Sequence, residues 1–581
     1  MDKASLKKRI DTAAGRIPAD LVIKNAKIVD VYNASIIEGQ SIAISDDCIA
    51  AIGDYEGIRE IDAKGQYALP GFIDGHIHIE SSYVTPEEIG RLLVPCGATT
   101  IIADPHEIVN VCGLDGLRFM LAAAKKTKLD IRFMLPTCVP ATPFEHTGAM
   151  IDAAAMKPFI MDEQILGLAE FMNYPGVIFA DEDVLDKLMV AHHAGKLIDG
   201  HSPGISGKEL NAYAAGGIHT DHECSTAEEM LDHLSRGMYV LLREGSACHN
   251  LRTLLKSVTP ANSRRCVLCS DDRQPETILD LGHLDNHLRI CVEEGIDPIV
   301  AVQMASLNAA ECFGLRDRGA IAPGLRGDIV LVDNLKDFCV KHVLIRGEEV
   351  AKDGIYLPKV EYCDNSSVRG RFHVKDFSIA KLKLPLKSEH VYVIEILPGG
   401  VVTKKSKESV TRDQLGEFIH QPQQDIVKVA VVERHQNTGN VAVALLKNYG
   451  IQAGAVALSI AHDSHNIITV GTNDADMAFA VEQLISQGGG IVLAKDKQLV
   501  GSMPMVVGGI MSDQRGEWVS EKLKQIHEAA YTQLGVHRWV EPVMTLCFMS
   551  LAVIPEIKLT DMGLFDVATF GFIPIEVDGN E

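Results

Sequence analysis

The run Leu69-Pro-Gly-Phe-Ile-Asp-Gly-His-Ile-His78 decides how the rest of the chain is read. A Pro-Gly turn opens it, apolar residues carry it, and His76 and His78 close it. Residues two apart on an extended strand point to the same side. Both imidazoles can therefore face one cation without any bend in the backbone. A lone His-x-His is a weak signal, and its weight depends on what the following residues build around it.

Downstream, apolar runs alternate with helix-like segments such as Val184-Leu-Asp-Lys-Leu-Met-Val-Ala-His-His193 and Thr226-Ala-Glu-Glu-Met-Leu-Asp-His-Leu234. Eight strand candidates end near His76, Asp104, Leu135, Glu170, His201, His222, Arg243 and Asp271. Strand–helix alternation predicts a parallel sheet, and eight units in about 250 residues match a closed (β/α)₈ barrel. Chemistry in that fold sits at the C-terminal ends of the strands. Six of the eight candidates carry a His, Asp or Glu there.

Residues 20–68 read differently, as short β-rich runs between turns. The same texture returns in Gly327-Asp-Ile-Val-Leu-Val-Asp333 and Val340-Lys-His-Val-Leu-Ile-Arg-Gly347. The expected fold is thus α/β. A TIM-like (β/α)₈ barrel over 69–317 is inserted in a small β-sandwich domain made of 1–68 and 318–378. A further α/β domain over 379–581 follows, containing Val427-Lys-Val-Ala-Val-Val432, Ala455-Val-Ala-Leu-Ser-Ile460 and Gly490-Ile-Val-Leu-Ala-Lys495. Gly370 to Lys387, basic and partly polar, reads as a linker.

The chain has 581 residues and a formal net charge of −23, which argues against a nucleic-acid backbone or an anionic membrane as partner. Thirteen cysteines, scattered and odd in number, do not make a disulfide framework. Cys266 and Cys269 read as core residues of a buried strand. Met1-Asp-Lys-Ala-Ser-Leu-Lys-Lys-Arg9 lacks the apolar stretch of a signal peptide, and no apolar run is long enough to span a bilayer. A cytoplasmic protein that forms a homo-oligomer is expected.

The strand ends together present four imidazoles and two carboxylates: His76, His78, His201, His222, Glu170 and Asp271. Nitrogen and oxygen donors without thiolate suit Mn, Fe(II) or Zn. Glu170 has two oxygens with which to bridge two cations. Two such cations would make hydroxide available near neutral pH, with Asp271 placed to accept a proton. Hydrolysis is the chemistry this set calls for. His78-Ile-Glu80 with Pro95-Cys96 imitates the start of a zinc nucleobase deaminase motif, but residue 99 is Thr where a second cysteine is required.

The pattern resembles the amidohydrolase superfamily, in which Ala305-Ser-Leu-Asn-Ala-Ala310 and Arg318-Gly-Ala-Ile-Ala-Pro-Gly-Leu-Arg-Gly-Asp328 also find counterparts. Many members carry a carboxylated lysine between the metals. Glu170 at that position resembles the bacterial adenine deaminase branch. So do His78-Ile-Glu-Ser-Ser82, Ala103-Asp-Pro-His-Glu-Ile108, Glu170-Phe-Met-Asn173, Asp199-Gly-His-Ser-Pro-Gly204, Thr220-Asp-His-Glu223 and Ser270-Asp-Asp-Arg273. Leu397-Pro-Gly-Gly400 and His462-Asp-Ser-His-Asn466 are similar to the extra C-terminal domain of that branch.

The resemblance implies hydrolytic deamination of adenine to hypoxanthine and ammonia by a hydroxide held at a binuclear centre. Its two divalent ions would be Mn²⁺ first, Fe²⁺ as the alternative and Zn²⁺ last. His76, His78, Glu170, His201, His222 and Asp271 would be the ligands, with Glu170 and Asp271 catalytic. Two other readings stand beside it: a binuclear amidohydrolase acting on a cyclic amide or another aminated heterocycle, and a metal-binding scaffold without catalysis.

Further candidates for contact with substrate, or for holding a ligand from behind, are Glu80, Asp104, His106, Glu107, Arg243, Glu244 and Asp272. On a regular strand Asp272 should point away from Asp271. His462, Asp463 and His465 are expected to form a structural turn or a lid over the barrel mouth, and Gly488-Gly-Gly490 a turn.

Overall fold

The computed structural model describes residues 2–577. The eight barrel strands are Phe72–His78, Ala98–Ala103, Asp130–Leu135, Ile165–Phe171, Leu197–Gly200, Thr220–Asp221, Tyr239–Arg243 and a broken eighth, Cys266–Cys269 with Asp271–Asp272. Strands one to five lie side by side in order, all parallel. Strands six to eight form a second parallel set.

The break in the eighth strand closes the ring. Cys266–Cys269 pairs with strand seven, while Asp271 and Asp272 pair with Ile77 and His78 of strand one. At the other seam His219 N–H donates to Ile198 O (2.9 Å). A Cβ at Gly200 would sit 2.3 Å from Thr220 O, so only glycine lets strands five and six approach so closely just before His201.

The barrel interior is filled by Ile73, Ile102, Met134, Ala169, Leu241 and Val267, all buried. Phe313, just beyond the helix Leu307–Cys312, packs on the same cluster. The wide apolar layer outside the strands comes from the helical faces, including Leu188, Leu210, Met230 and Leu288.

The segments flanking the barrel in sequence share one seven-stranded sheet, in which Tyr67–Pro70 runs antiparallel to Ile329–Val332. A four-stranded sheet built from residues 19–62 packs against it through Leu21, Ile23, Ile42 and Ile44 on one side and Ile329, Leu331 and Leu344 on the other. Beyond residue 389 an eight-stranded sheet carries the helix Asp474–Gln487, whose Asn473 cap accepts from Asp476 N–H. The Gly370 to Lys387 segment holds a short 3₁₀ turn, Ile379–Leu382, packed on that helix and sheet through Leu382. Among the described residues no helix is long and apolar enough to cross a membrane.

Candidate metal centre

Register brings the first histidines to the eighth strand. Asp74, fully buried, accepts from Ser270 Oγ (2.6 Å), Ser270 N–H (3.1 Å) and His76 N–H (3.2 Å). Strand one is thereby fastened to the residue just before Asp271. His76 Nε2 then lies 3.1 Å from His78 Nε2, and Asp271 Oδ1 lies 3.1 Å from His78 Nε2 and 3.8 Å from His76 Nε2.

Glu170, closing strand four, stands across from this trio. Its Oε1 is 3.4 Å from His78 Nε2, and its Oε2 is 2.8 Å from His201 Nδ1 and 3.1 Å from His222 Nε2. The His76 and His222 rings stack at 4.0 Å. The six side chains are all buried.

Several donor atoms here stand about as far apart as two ligands of one cation, each about 2.1 Å from it. His201 and His222 face Glu170 with Nδ1 and Nε2, and their other ring nitrogens are buried without a hydrogen-bond partner among the described residues. Charge points the same way. Burial alone would favour neutral imidazoles, yet Asp271 and Glu170 hold His78 well above its ordinary pKa, and Glu170 raises His222 to about 10. Burial would likewise neutralise the carboxylates. His201 and His222 nevertheless keep Glu170 well below the usual range, and His78 and Arg243 do so for Asp271. A pocket that favours positive charge among ionised carboxylates suits divalent cations.

The surrounding candidates divide. A cavity of about 370 Å³ is lined by His78, Glu170, His201, His222 and Asp271, and also by His106, Glu107, Arg243 and Asp272. Arg243 Nη1 donates to Asp271 Oδ2 (2.8 Å) and also pairs with Glu223. His106 Nδ1 faces Asp104 Oδ2 (2.9 Å) and Glu170 Oε1 (3.3 Å), so Asp104 lies behind it.

Glu80 is buried behind the wall, accepting from Ile108 N–H (3.1 Å). Glu244 turns away to His249 Nδ1 (2.8 Å) and does not line the cavity. Asp272, expected to face away, lines it and accepts from Ser81 Oγ. Asp271 has φ of 58°, so strict strand alternation fails at that pair.

Other residues at the site were not foreseen. Asp199 Oδ2 holds His76 Nδ1, Glu223 pairs with Arg243, and Asp74 anchors Ser270. Asp74 and Asp199 stand two residues before His76 and His201, and period-two spacing along a strand is the signal that could have found them.

A model of the amidohydrolase family matches residues 67–350, and one of the adenine deaminase C-terminal domain matches residues 400–571. The chain is 65% identical over 576 residues to "Adenine deaminase 2" of Desulfotalea psychrophila, covering 99% of this chain and all of that protein. It is 52% identical to "Adenine deaminase" of Ligilactobacillus salivarius over the full length of both. It is 50% identical to "Adenine deaminase" of Nitratidesulfovibrio vulgaris strain DP4 over 98% of each. These matches span the barrel and the C-terminal sheet alike, and the chain belongs to the adenine deaminase family of amidohydrolases.

Proposed function

We infer that this protein hydrolyses adenine to hypoxanthine and ammonia. The observation that carries the reading is full-length identity of 65% to a protein named adenine deaminase, in a chain whose barrel mouth gathers four imidazoles and two carboxylates. We assign His76, His78 and Asp271 to one cation and His201 and His222 to a second, with Glu170 between them. The donor distances support that assignment. Divalent ions held there would lower the pKa of water and supply hydroxide near neutral pH for attack on the ring carbon that bears the amino group.

The protein's own groups handle the proton. His78 and Arg243 keep the Asp271 carboxylate ionised, Arg243 donating to Oδ2 while Oδ1 faces His78 and His76. Asp271 takes the proton of the attacking water and passes it to the ring or to the departing amino group, so water and adenine balance hypoxanthine and ammonia. Glu107, His106 and Asp272 form polar wall for the heterocycle. Asp199 fixes the orientation of His76 from behind.

Mn²⁺ is the ion we assign, ahead of Fe²⁺ and then Zn²⁺, on an oxygen- and imidazole-rich set without thiolate. The thirteen unpaired cysteines support a cytoplasmic location. Met150 and Met189, exposed beside one surface cavity, support a homo-oligomer. A barrel at residues 69–317, with 1–68 and 318–378 as one β unit and 379–581 as a C-terminal α/β unit, is the division we adopt, and the sheet shared across the barrel's two flanks supports the β unit.

The test is direct. Purified protein loaded with Mn²⁺ is given adenine, and ammonia and hypoxanthine are measured. Turnover of hydantoins or cytosine in place of adenine would replace the substrate class. Silence on all of them would remove the catalytic reading.

A further inference from the structure

In the C-terminal sheet, residues 459–466 connect the strands Ala455–Leu458 and Ile467–Gly471 and reach the barrel cavity with His462 and Asp463. This loop is fixed from many sides. His462 N–H donates to Cys547 O (2.9 Å), His435 Nε2 to Ser464 O (2.6 Å) and Asn466 Nδ2 to His146 O (2.8 Å). Arg434, fully buried, donates to His465 O and to Gly508 O (3.1 Å) and lies over the Phe372 ring. His465 itself has φ of 55°, a conformation uncommon outside glycine. Backbone held that way by its surroundings collects where side chains must be aimed.

Two imidazoles are aimed here. His462 Nδ1 lies 2.5 Å from Glu107 Oε1, and His465 Nε2 pairs with Glu107 Oε2. At the metal centre His76, His78 and Asp271 stand 3.1–3.8 Å apart, while Glu170 Oε2 lies 2.8 Å from His201 Nδ1. Around Glu107 each carboxylate oxygen is met by one imidazole, so the two histidines clamp it from both sides. His106 Nε2, unpartnered among the described residues, lies 3.6 Å from Glu107 Oε1 and 3.7 Å from Asp463 Oδ1. Those separations are too wide for a hydrogen bond, so His106 Nε2 keeps its donor or acceptor capacity beside Glu107.

We propose that His462 and His465 are positioning residues that hold Glu107 as a hydrogen-bond acceptor in the wall of the substrate pocket. The C-terminal unit thereby completes a pocket for a heterocycle that carries N–H groups. The proposal rests on the adenine reading above. A carboxylate that accepts one imidazole N–H on each oxygen keeps spare lone pairs and has no proton to give. A free purine base offers N–H donors from its amino group and its ring.

The experiment is a double-mutant cycle on Mn²⁺-loaded enzyme: wild type, His462→Gln, His465→Asn, Glu107→Gln and the Glu107→Gln/His462→Gln pair. Readouts are kcat, KM for adenine, metal content and melting temperature. Each single variant is expected to lose about 10- to 100-fold in kcat/KM, chiefly through KM, at wild-type metal content. The pair should lose no more than Glu107→Gln alone, since the same interaction is already gone.

Losses that multiply in the pair, or a His462→Gln enzyme with wild-type kcat/KM, would overturn the proposal. Should His462→Gln melt early, the His465→Asn/Glu107→Gln pair gives the same cycle. A wild type inert on adenine but active on another aminated heterocycle would defeat the adenine reading, while the cycle is still run on that substrate.

Discussion

Asp199 Oδ2 sits 2.9 Å from Nδ1 of His76, while Asp199 Oδ1 accepts from Gly200 N–H (2.9 Å) and from the Thr220 hydroxyl. The carboxylate therefore fixes which nitrogen of His76 carries hydrogen and turns Nε2 toward His78 and Asp271. Burial alone would neutralise Asp199, but the His76 contact keeps its pKa below the usual carboxylate value.

Asp199→Asn keeps the shape and removes the charge. Partners of this kind are worth about 10- to 100-fold in metal affinity. Chelator competition on the variant should show a loss of that size at one of the two positions. Unchanged affinity at both would mean that His76 is oriented by the barrel backbone alone.

Asp271→Asn should leave much of the bound metal in place and lower turnover by about 10²- to 10⁴-fold, the range expected when a positioned proton acceptor is lost. Metal content by elemental analysis and ammonia release are the paired readouts. An active Asp271→Asn enzyme would move proton transfer to another group on the cavity wall, Glu107 or Asp272.

Arg243 is buried between two carboxylates, Asp271 and Glu223. Arg243→Met leaves both without their cation. Removing one member of such a buried pair costs about 3–5 kcal/mol, so the denaturation midpoint should fall clearly in metal-free protein. Added Mn²⁺ should recover part of the loss, because binding to the folded state alone contributes about 2.7 kcal/mol at 100 times Kd. A variant as stable as wild type without metal would show that the two carboxylates are solvated or protonated.

The barrel was legible because most strands are short apolar runs that stop at a polar residue: Ile165–Phe171 ends one position past Glu170, and Tyr239–Arg243 ends at Arg243 itself. Glu170 and the histidines stand out for the same reason, as polar groups at the edge of apolar runs. Asp74 and Asp199 were not singled out, since inside a strand they read as ordinary interruptions and only their spacing of two from a histidine betrays them. His462 was placed near the mouth without a partner. Its contact with Glu107 joins residues 355 apart in sequence, and no local pattern encodes which barrel residue a distant loop will meet. Asp272 was misdirected by a rule that assumes regular strand geometry, which the left-handed conformation of Asp271 breaks.

Lys558 lies fully buried on the strand Ile557–Thr560, with Nζ donating to Val401 O (2.7 Å) in a segment that lines the cavity. Burial drives its pKa from 10.5 down to about 7. The unfolded chain therefore binds more protons than the folded one between those two values. Unfolding free energy must rise with pH across that window, by up to about 1.4 kcal/mol per pH unit, and the penalty of a charged Lys558 is complete below about pH 7.

Lys558→Met removes the titrating group. The stability of the variant relative to wild type should be most favourable near about pH 6 and decline steadily towards about pH 10, where what remains is the lost hydrogen bond to Val401. Denaturant midpoints of both proteins across that range measure it. A difference independent of pH would mean that the amine is already paired or reached by water, and that this edge of the cavity wall is looser than its burial implies.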